Sequence, residues 1–175
     1  MIRPEDFDFH FTEDSHWQWA ETIALLFSVP EANLNVNVYV VTRPMMGVCM
    51  ADITIMDRLT DLWEDQLYID NQQHLPCPKS LLDFTLPNGL SIKVIEPLKR
   101  IAVTYEGIDD TRFDLEYVAL HEPYDINDPA MDPTAAGRNG PAWDSSWSGH
   151  YEVTYRVRGT LTVRGKSYPV DCVQT

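Results

Sequence analysis

The chain runs to 175 residues, 44% of them hydrophobic and 23% charged, which fits one globular domain over 1–175 with enough apolar side chains for a real core. Its 27 acidic residues outnumber 13 basic ones, and the net charge of -14 excludes the broad cationic face that nucleic acid or an anionic membrane demands. Cys49, Cys77 and Cys172 lie too far apart for a disulfide framework or a zinc pattern, and with no apolar leader or membrane-length run the expected setting is the reducing cytoplasm, without membrane insertion.

The first segment with a pattern is "TEDSHWQWAETIALLFSV". Thr12, Asp14 and Ser15 suit a helix cap, but Thr22, Ile23, Phe27 and Val29 favour sheet, so "ETIALLFSV" reads as a buried strand and "PEAN" as the turn that follows. Period-two alternation then takes over. "LNVNVYVVT" sets Leu34, Val36, Val38 and Val40 on one face, and "MGVCMADITIMD" follows the turn "TRPMMG" with Ile53 and Ile55 opposite Asp52 and Thr54. Further strands are predicted at "LSIKVIEP", "RIAVTYEG", "TRFDLEYVAL", "YEVTYRV", "TLTV" and "SYPVDC", with "PNG", "EGIDDT" and "VRGK" as turns between them. Many short strands joined by tight turns predict an all-β, antiparallel barrel or strongly curved sandwich with little helix. Residues 121–149 break the pattern; this long segment, ending in Trp143 and Trp147, is either a loop packed over a barrel mouth or a partner, or a plain connector.

Chemistry-bearing residues are few. In "HYE", His150 and Glu152 fall on one strand face, where a carboxylate can orient an imidazole; Arg156 and Arg158 share that face, so it is equally the solvated side of a sheet. "HWQWAE" gathers Trp17, Trp19 and Glu21, either a core plug or an aromatic pocket wall with an acid at its rim. Asp52 and Asp57 bracket an apolar run; pointing inward, Asp52 would be a protonating acid of raised pKa, and pointing outward it would be a surface residue. No phosphate loop, nucleophile elbow, HExxH, CxxC or EF-hand loop occurs, so no cofactor and no metal is expected.

Two stretches carry a family resemblance. "HWQWAETIALLFSVPEANLNVNVYVVTRPMMGVCMADITIMD" and "GHYEVTYRVRGTLTVRGKSYPVDC" resemble the opening strands and the terminal hairpin of the AttH-like group of lipocalin-related (calycin-like) proteins, which includes carotenoid 1,2-hydratase, also called hydroxyneurosporene synthase. The resemblance implies a lipocalin-like domain, the first of two packed side by side, that takes hydrophobic terpenoid-, steroid- or polyketide-like molecules. It picks out Trp17, Glu21, Tyr39, Asp57, His150, Tyr151 and Glu152 as matching motif positions. The chain stops at "VDCVQT", where that family continues into an Arg-Asp-His-Ser-Trp-Gly stretch and a second barrel.

The expected function is therefore a cofactor-free hydratase, isomerase or cyclase of an apolar small molecule. Asp52, His150 and Glu152 would be its acid-base groups, and Trp17, Trp19, Glu21, Tyr39, Trp143, Trp147 and Tyr151 its ligand contacts. The alternatives are a carrier domain for the same kind of ligand and an interaction domain. The stop after one terminal hairpin predicts an unprotected strand edge near 167–175, and with it a homo-oligomer or a second barrel as partner.

Overall fold

Alternating side chains become alternating faces. A computed structural model describes residues 2–135 and 149–175. Among them no α-helix occurs; short 3-10 turns lie at Pro4–Phe7, Pro30–Ala32, Pro44–Met46 and Trp63–Asp65. Strands β1 (Glu21–Val29), β2 (Leu34–Arg43), β3 (Val48–Met56) and β4 (Tyr68–Pro76) form a four-stranded antiparallel sheet in that order. Strands β5 (Asp83–Thr85), β6 (Leu90–Glu96), β7 (Arg100–Glu106), β8 (Arg112–Ala119), β11 (Tyr155–Val163) and β12 (Lys166–Gln174) form a six-stranded sheet ordered β12-β11-β8-β7-β6-β5. A two-stranded ribbon pairs β9 (Tyr124–Asp125) with β10 (Tyr151–Glu152).

The turns follow from their residues. Pro30 and Pro44 open 3-10 turns, and Asn33 and Gly47 close them in the left-handed region, each returning its N–H to the proline carbonyl. Gly89 closes the β5–β6 turn at φ +91°, where a Cβ would meet the Glu106 carbonyl oxygen at 2.2 Å.

The two sheets face each other across one core. Val38, Val40, Ala51, Ile53 and Ile55 from one sheet and Leu90, Val103, Val157 and Leu161 from the other are all at 0% exposure, so no water-sized void lies beside them. An aromatic run spans the layers: Phe27 meets Phe113 at 5.4 Å, Phe113 meets Tyr105 at 5.3 Å, and Tyr105 meets Tyr68 at 6.3 Å. The fold is thus a curved antiparallel sandwich, and the closed-barrel alternative is corrected. Where β1 lies beside β12 the ladder is interrupted. There the Ser28 N–H donates to Cys172 Sγ at 3.4 Å, and Gln174 Nε2 donates to Ser28 Oγ at 3.1 Å. The predicted edge at 167–175 is therefore the last strand of its sheet, partly covered by β1.

Two further sequence readings change. "YEVTYRV" is not one strand. It breaks at Val153–Thr154, and β10 leaves to pair with β9 while β11 pairs with β8 and β12. The described part of the 121–149 segment is also ordered locally, with a strand at β9 and buried Asp132 and Ala135 near its turns.

Candidate functional site

The outward face of the four-stranded sheet holds two of the nominated residues, Tyr39 and Asp52. Ile53 and Ile55 point into the core, so Asp52 points out, yet it is only 6% exposed. Its neighbours cover it. Asn37 Nδ2 donates to Oδ2 at 3.0 Å, Asn71 Nδ2 to Oδ1 at 3.0 Å, and the Thr54 hydroxyl reaches both oxygens at 3.1 and 3.2 Å. Tyr39 stands directly across the strand pair from Asp52. Asp52 is thus a carboxylate supplied with neutral donors, not an acid in an inner pocket.

Farther along the same face a cleft of about 470 Å³ opens, lined by Trp17, Gln18, Val41, Arg43, Met46, Val48, Cys49, Met50, Gln73 and His74. Alternation explains the floor: Val41 and Met50 are paired across β2 and β3, as are Arg43 and Val48. The "RPMMG" turn places Met46 at the rim, 48% exposed, and the segment before β1 brings Trp17 over the opposite side, 57% exposed. A β-bulge in β4 supplies the last wall. Cys49 pairs with Leu75 and Ala51 with Gln72, so Gln73 and His74 together face Met50. His74 sits at φ +59°, a conformation uncommon for a residue with a Cβ.

The electrostatics of this cleft are unusual for so acidic a chain. Arg43 Nη1 donates to the Gln18 carbonyl at 2.9 Å, and among the described residues no carboxylate comes within ion-pair distance of its guanidinium. Gln73 Nε2 donates to Asn71 Oδ1 at 2.6 Å, so the cleft wall is hydrogen-bonded to the side chain that holds Asp52.

The other nominated residues are placed elsewhere. Glu21 accepts from the His10 N–H (2.8 Å), His10 Nδ1 (2.9 Å), the Phe11 N–H (3.2 Å) and Trp19 Nε1 (2.9 Å), so its carboxylate ties the N-terminal segment to β1. Trp17 and Trp19 do not share a strand face with Glu21, because β1 begins only at Glu21. His150 Nε2 and Glu152 Oε1 lie 3.3 Å apart, near the surface and in the β9–β10 ribbon rather than beside Arg156 and Arg158. Tyr151 is half-buried under Phe7, ring centroids 5.3 Å apart, and burial, then proximity to Tyr155, Asp6 and Glu21, pushes its phenol pKa up. Asp57 is at the end of β3, with its carbonyl accepting from Asn33 Nδ2 at 2.6 Å. Trp143 and Trp147 lie outside the described residues.

One buried polar group was not anticipated. Tyr105 donates to Asp70 Oδ2 at 2.7 Å; Tyr68 therefore donates to Tyr105 at 2.6 Å and accepts the Ile108 N–H at 3.3 Å. Asn88 Nδ2 adds a bond to Asp70 at 3.2 Å. The chain ties β4 to the opposite sheet, and burial first, then these bonds, raises the Tyr105 phenol far above its ordinary value. The sequence signal was weak, since these residues are far apart in the chain.

Among the described residues no three His, Cys, Asp or Glu side chains converge as metal ligands do, and no helix is long and apolar enough to cross a membrane. A family profile described as a domain of unknown function (DUF7064) matches residues 3–174, nearly the whole chain, and the chain belongs to that family. No curated protein and no solved structure matches it.

Proposed function

We propose that this member of the DUF7064 family is a binding module for an apolar small molecule that carries an acidic group, held in the outward cleft between Trp17, Met46 and Arg43. One observation carries the reading: an apolar cleft of about 470 Å³ contains an arginine with no carboxylate partner among the described residues. The volume falls within the ~300–1,000 Å³ common for small-molecule sites. Val41, Val48, Met50 and Met46 would take the apolar body and Trp17 would lie across it. Arg43 would pair with the acid, with Gln73 and His74 at the polar end. In a chain of net charge -14 the ligand's charge is repelled almost everywhere else, so the arginine also selects where it lands.

Binding is favoured over the expected acid-base chemistry. A protonating acid needs an open coordination side and a closed apolar pocket. Asp52 already accepts from three side chains, Glu152 is exposed at the surface, and the space between the sheets is filled by side chains.

The test is a titration of the full chain with decanoate and with decanol, followed by tryptophan emission. Decanoate is expected to bind roughly tenfold tighter, and Arg43→Gln to remove that preference while leaving decanol binding unchanged. Equal affinity for the two probes in the natural sequence, or a preference that survives Arg43→Gln, would overturn the reading.

A further inference from the structure

A separate surface lies in the β3–β4 connection, residues 57–67, reading "DRLTDLWEDQL". We infer that this loop docks a basic, amphipathic segment of a partner protein. Three large apolar side chains project from it within five residues: Leu59 at 100% exposure, Leu62 at 54% and Trp63 at 56%. Single exposed apolar residues are ordinary, but three on one short loop form a patch that water penalises.

The exposure is not a matter of a loop without structure. The Leu62 N–H donates to the Thr60 hydroxyl at 3.2 Å, Thr60 Oγ1 reaches Asp65 Oδ2 at 3.4 Å, and Arg58 Nη2 donates to the Asp65 carbonyl at 3.3 Å. Asn33 pins the loop's start through the Asp57 carbonyl, and a 3-10 turn at Trp63–Asp65 shapes its far side. The loop is thus organised by its own polar groups while its apolar ones face out, a preformed recognition shape.

A second observation points the same way. Gln66 Oε1, near the loop's far end, is shielded from water and has no hydrogen-bond donor, and Asp57 Oδ1, near its start, is equally shielded and meets only the Arg58 guanidinium at 3.8 Å, beyond hydrogen-bond reach. Buried acceptors are nearly always paired, so the loop has hydrogen bonds still to make, and they call for donors.

Charge decides the occupant. The loop carries Asp57, Asp61, Glu64 and Asp65 against Arg58 alone, four negative charges to one positive. A second copy of this chain, itself at -14, would be repelled, and so would an anionic membrane. A Lys- or Arg-rich amphipathic segment supplies what each feature lacks: apolar side chains for Leu59, Leu62 and Trp63, and cationic donors for the acids and the two shielded acceptors.

The probe is a dye-labelled 18-residue peptide of leucine and lysine in amphipathic order, with a leucine–glutamate peptide of the same order as control, read by fluorescence anisotropy on the full chain. The lysine peptide is expected to bind, and the glutamate peptide not to. Leu59→Ser combined with Trp63→Ser keeps every charge and alters side chains that make no core contact, so it should fold as before and bind at least tenfold more weakly. Asp61→Asn combined with Glu64→Gln should weaken binding and flatten its salt dependence. Equal binding by the serine variant would reduce the effect to long-range charge attraction and overturn the proposal. Binding of the glutamate peptide, no binding of either peptide, adhesion to zwitterionic vesicles that depends on Trp63, or a dimer that the serine variant dissolves would each overturn it as well.

Discussion

The outward faces of the two sheets differ although both meet water. On the six-stranded sheet charges are paired across strands: Lys93 with Asp83 at 2.9 Å, Arg100 with Glu116, and Arg156 and Arg158 with Asp171. Its own cleft, about 430 Å³, is lined by such side chains as Thr104, Glu106, Arg112, Asp114, Thr160 and Thr162. On the four-stranded sheet the positions between core residues hold Asn37, Tyr39, Val41, Met50 and Thr54, with one covered acid and one cation that has no acidic partner among the described residues. A face that only needs solubility can satisfy itself with exposed ion pairs, each worth little. A face that, among the described residues, gives up charge, covers its one carboxylate and leaves an arginine without an acidic partner is arranged for something other than water.

The comparison breaks first at Asp52. Asp52→Ala leaves Asn37, Asn71 and Thr54 without their acceptor and is expected to cost about 2–3 kcal/mol in urea unfolding, discounted for the partial exposure of the two asparagines. Glu116→Ala, on the other face, should leave the urea midpoint almost where it was. If the two variants shift the midpoint alike, the faces are not different in kind.

The next effect is on recognition. Arg43→Gln should lower decanoate affinity by roughly tenfold, about 1.4 kcal/mol, while Arg158→Gln on the six-stranded face leaves it unchanged.

Tyr105→Phe, where the sheets are tied, should cost about 1 kcal/mol by removing the bond to Asp70 and the partner of Tyr68. The same place sets an alkaline limit. Burial raises the phenols of Tyr105, Tyr68 and Tyr117, pushes Tyr155 up to about 12, and raises the Cys49 thiol to about 11. The folded state therefore holds protons that the unfolded chain releases at lower pH. Stability from these groups is complete below the ordinary values, near 9 for the thiol and 10 for the phenols, and declines as pH rises above them. Urea midpoints measured from pH 8 to 11 should fall, and Tyr105→Phe should soften the fall above pH 10.

The smallest effect belongs to the fully exposed pairs. Asp171→Asn, or 1 M salt, should leave the urea midpoint unmoved, although its bond to Arg156 holds the Asp171 carboxyl below its usual range.

Legibility followed burial. Strands β2 and β6 to β8 alternate because one side of each meets a filled core, and their residues predict their faces; β1 and β3 alternate in sequence, but their outward sides are partly covered as well. Strand β4 escaped notice: "YIDNQQHLP" buries only Tyr68 and Leu75, on opposite parities. Of the cleft's lining only Trp17 was nominated from the sequence, and Tyr39 and Asp52 lie on the same face but outside the cleft. These three were nominated for their aromatic and acidic types. Arg43, His74 and the Tyr68–Tyr105–Asp70 chain were not, because a missing ion partner, a bulge and a contact across sheets leave no local trace. His150 and Glu152 of "HYE" do lie side by side, but away from Arg156 and Arg158, since a strand break at Val153–Thr154 takes them off the main sheet.

The bulge at Gln73–His74 also works as a counter. Tyr68 and Leu75 are seven positions apart, an odd interval, so an unbroken strand would turn one of them to solvent. One extra residue restores the phase and lets both reach the core, at 3% and 8% exposure. Strand β4 therefore tolerates a deletion only at the bulge: without His74, Tyr68 and Leu75 stand six positions apart and both still face the core, whereas a residue lost between Tyr68 and Gln72 moves the side chains before the bulge out of register.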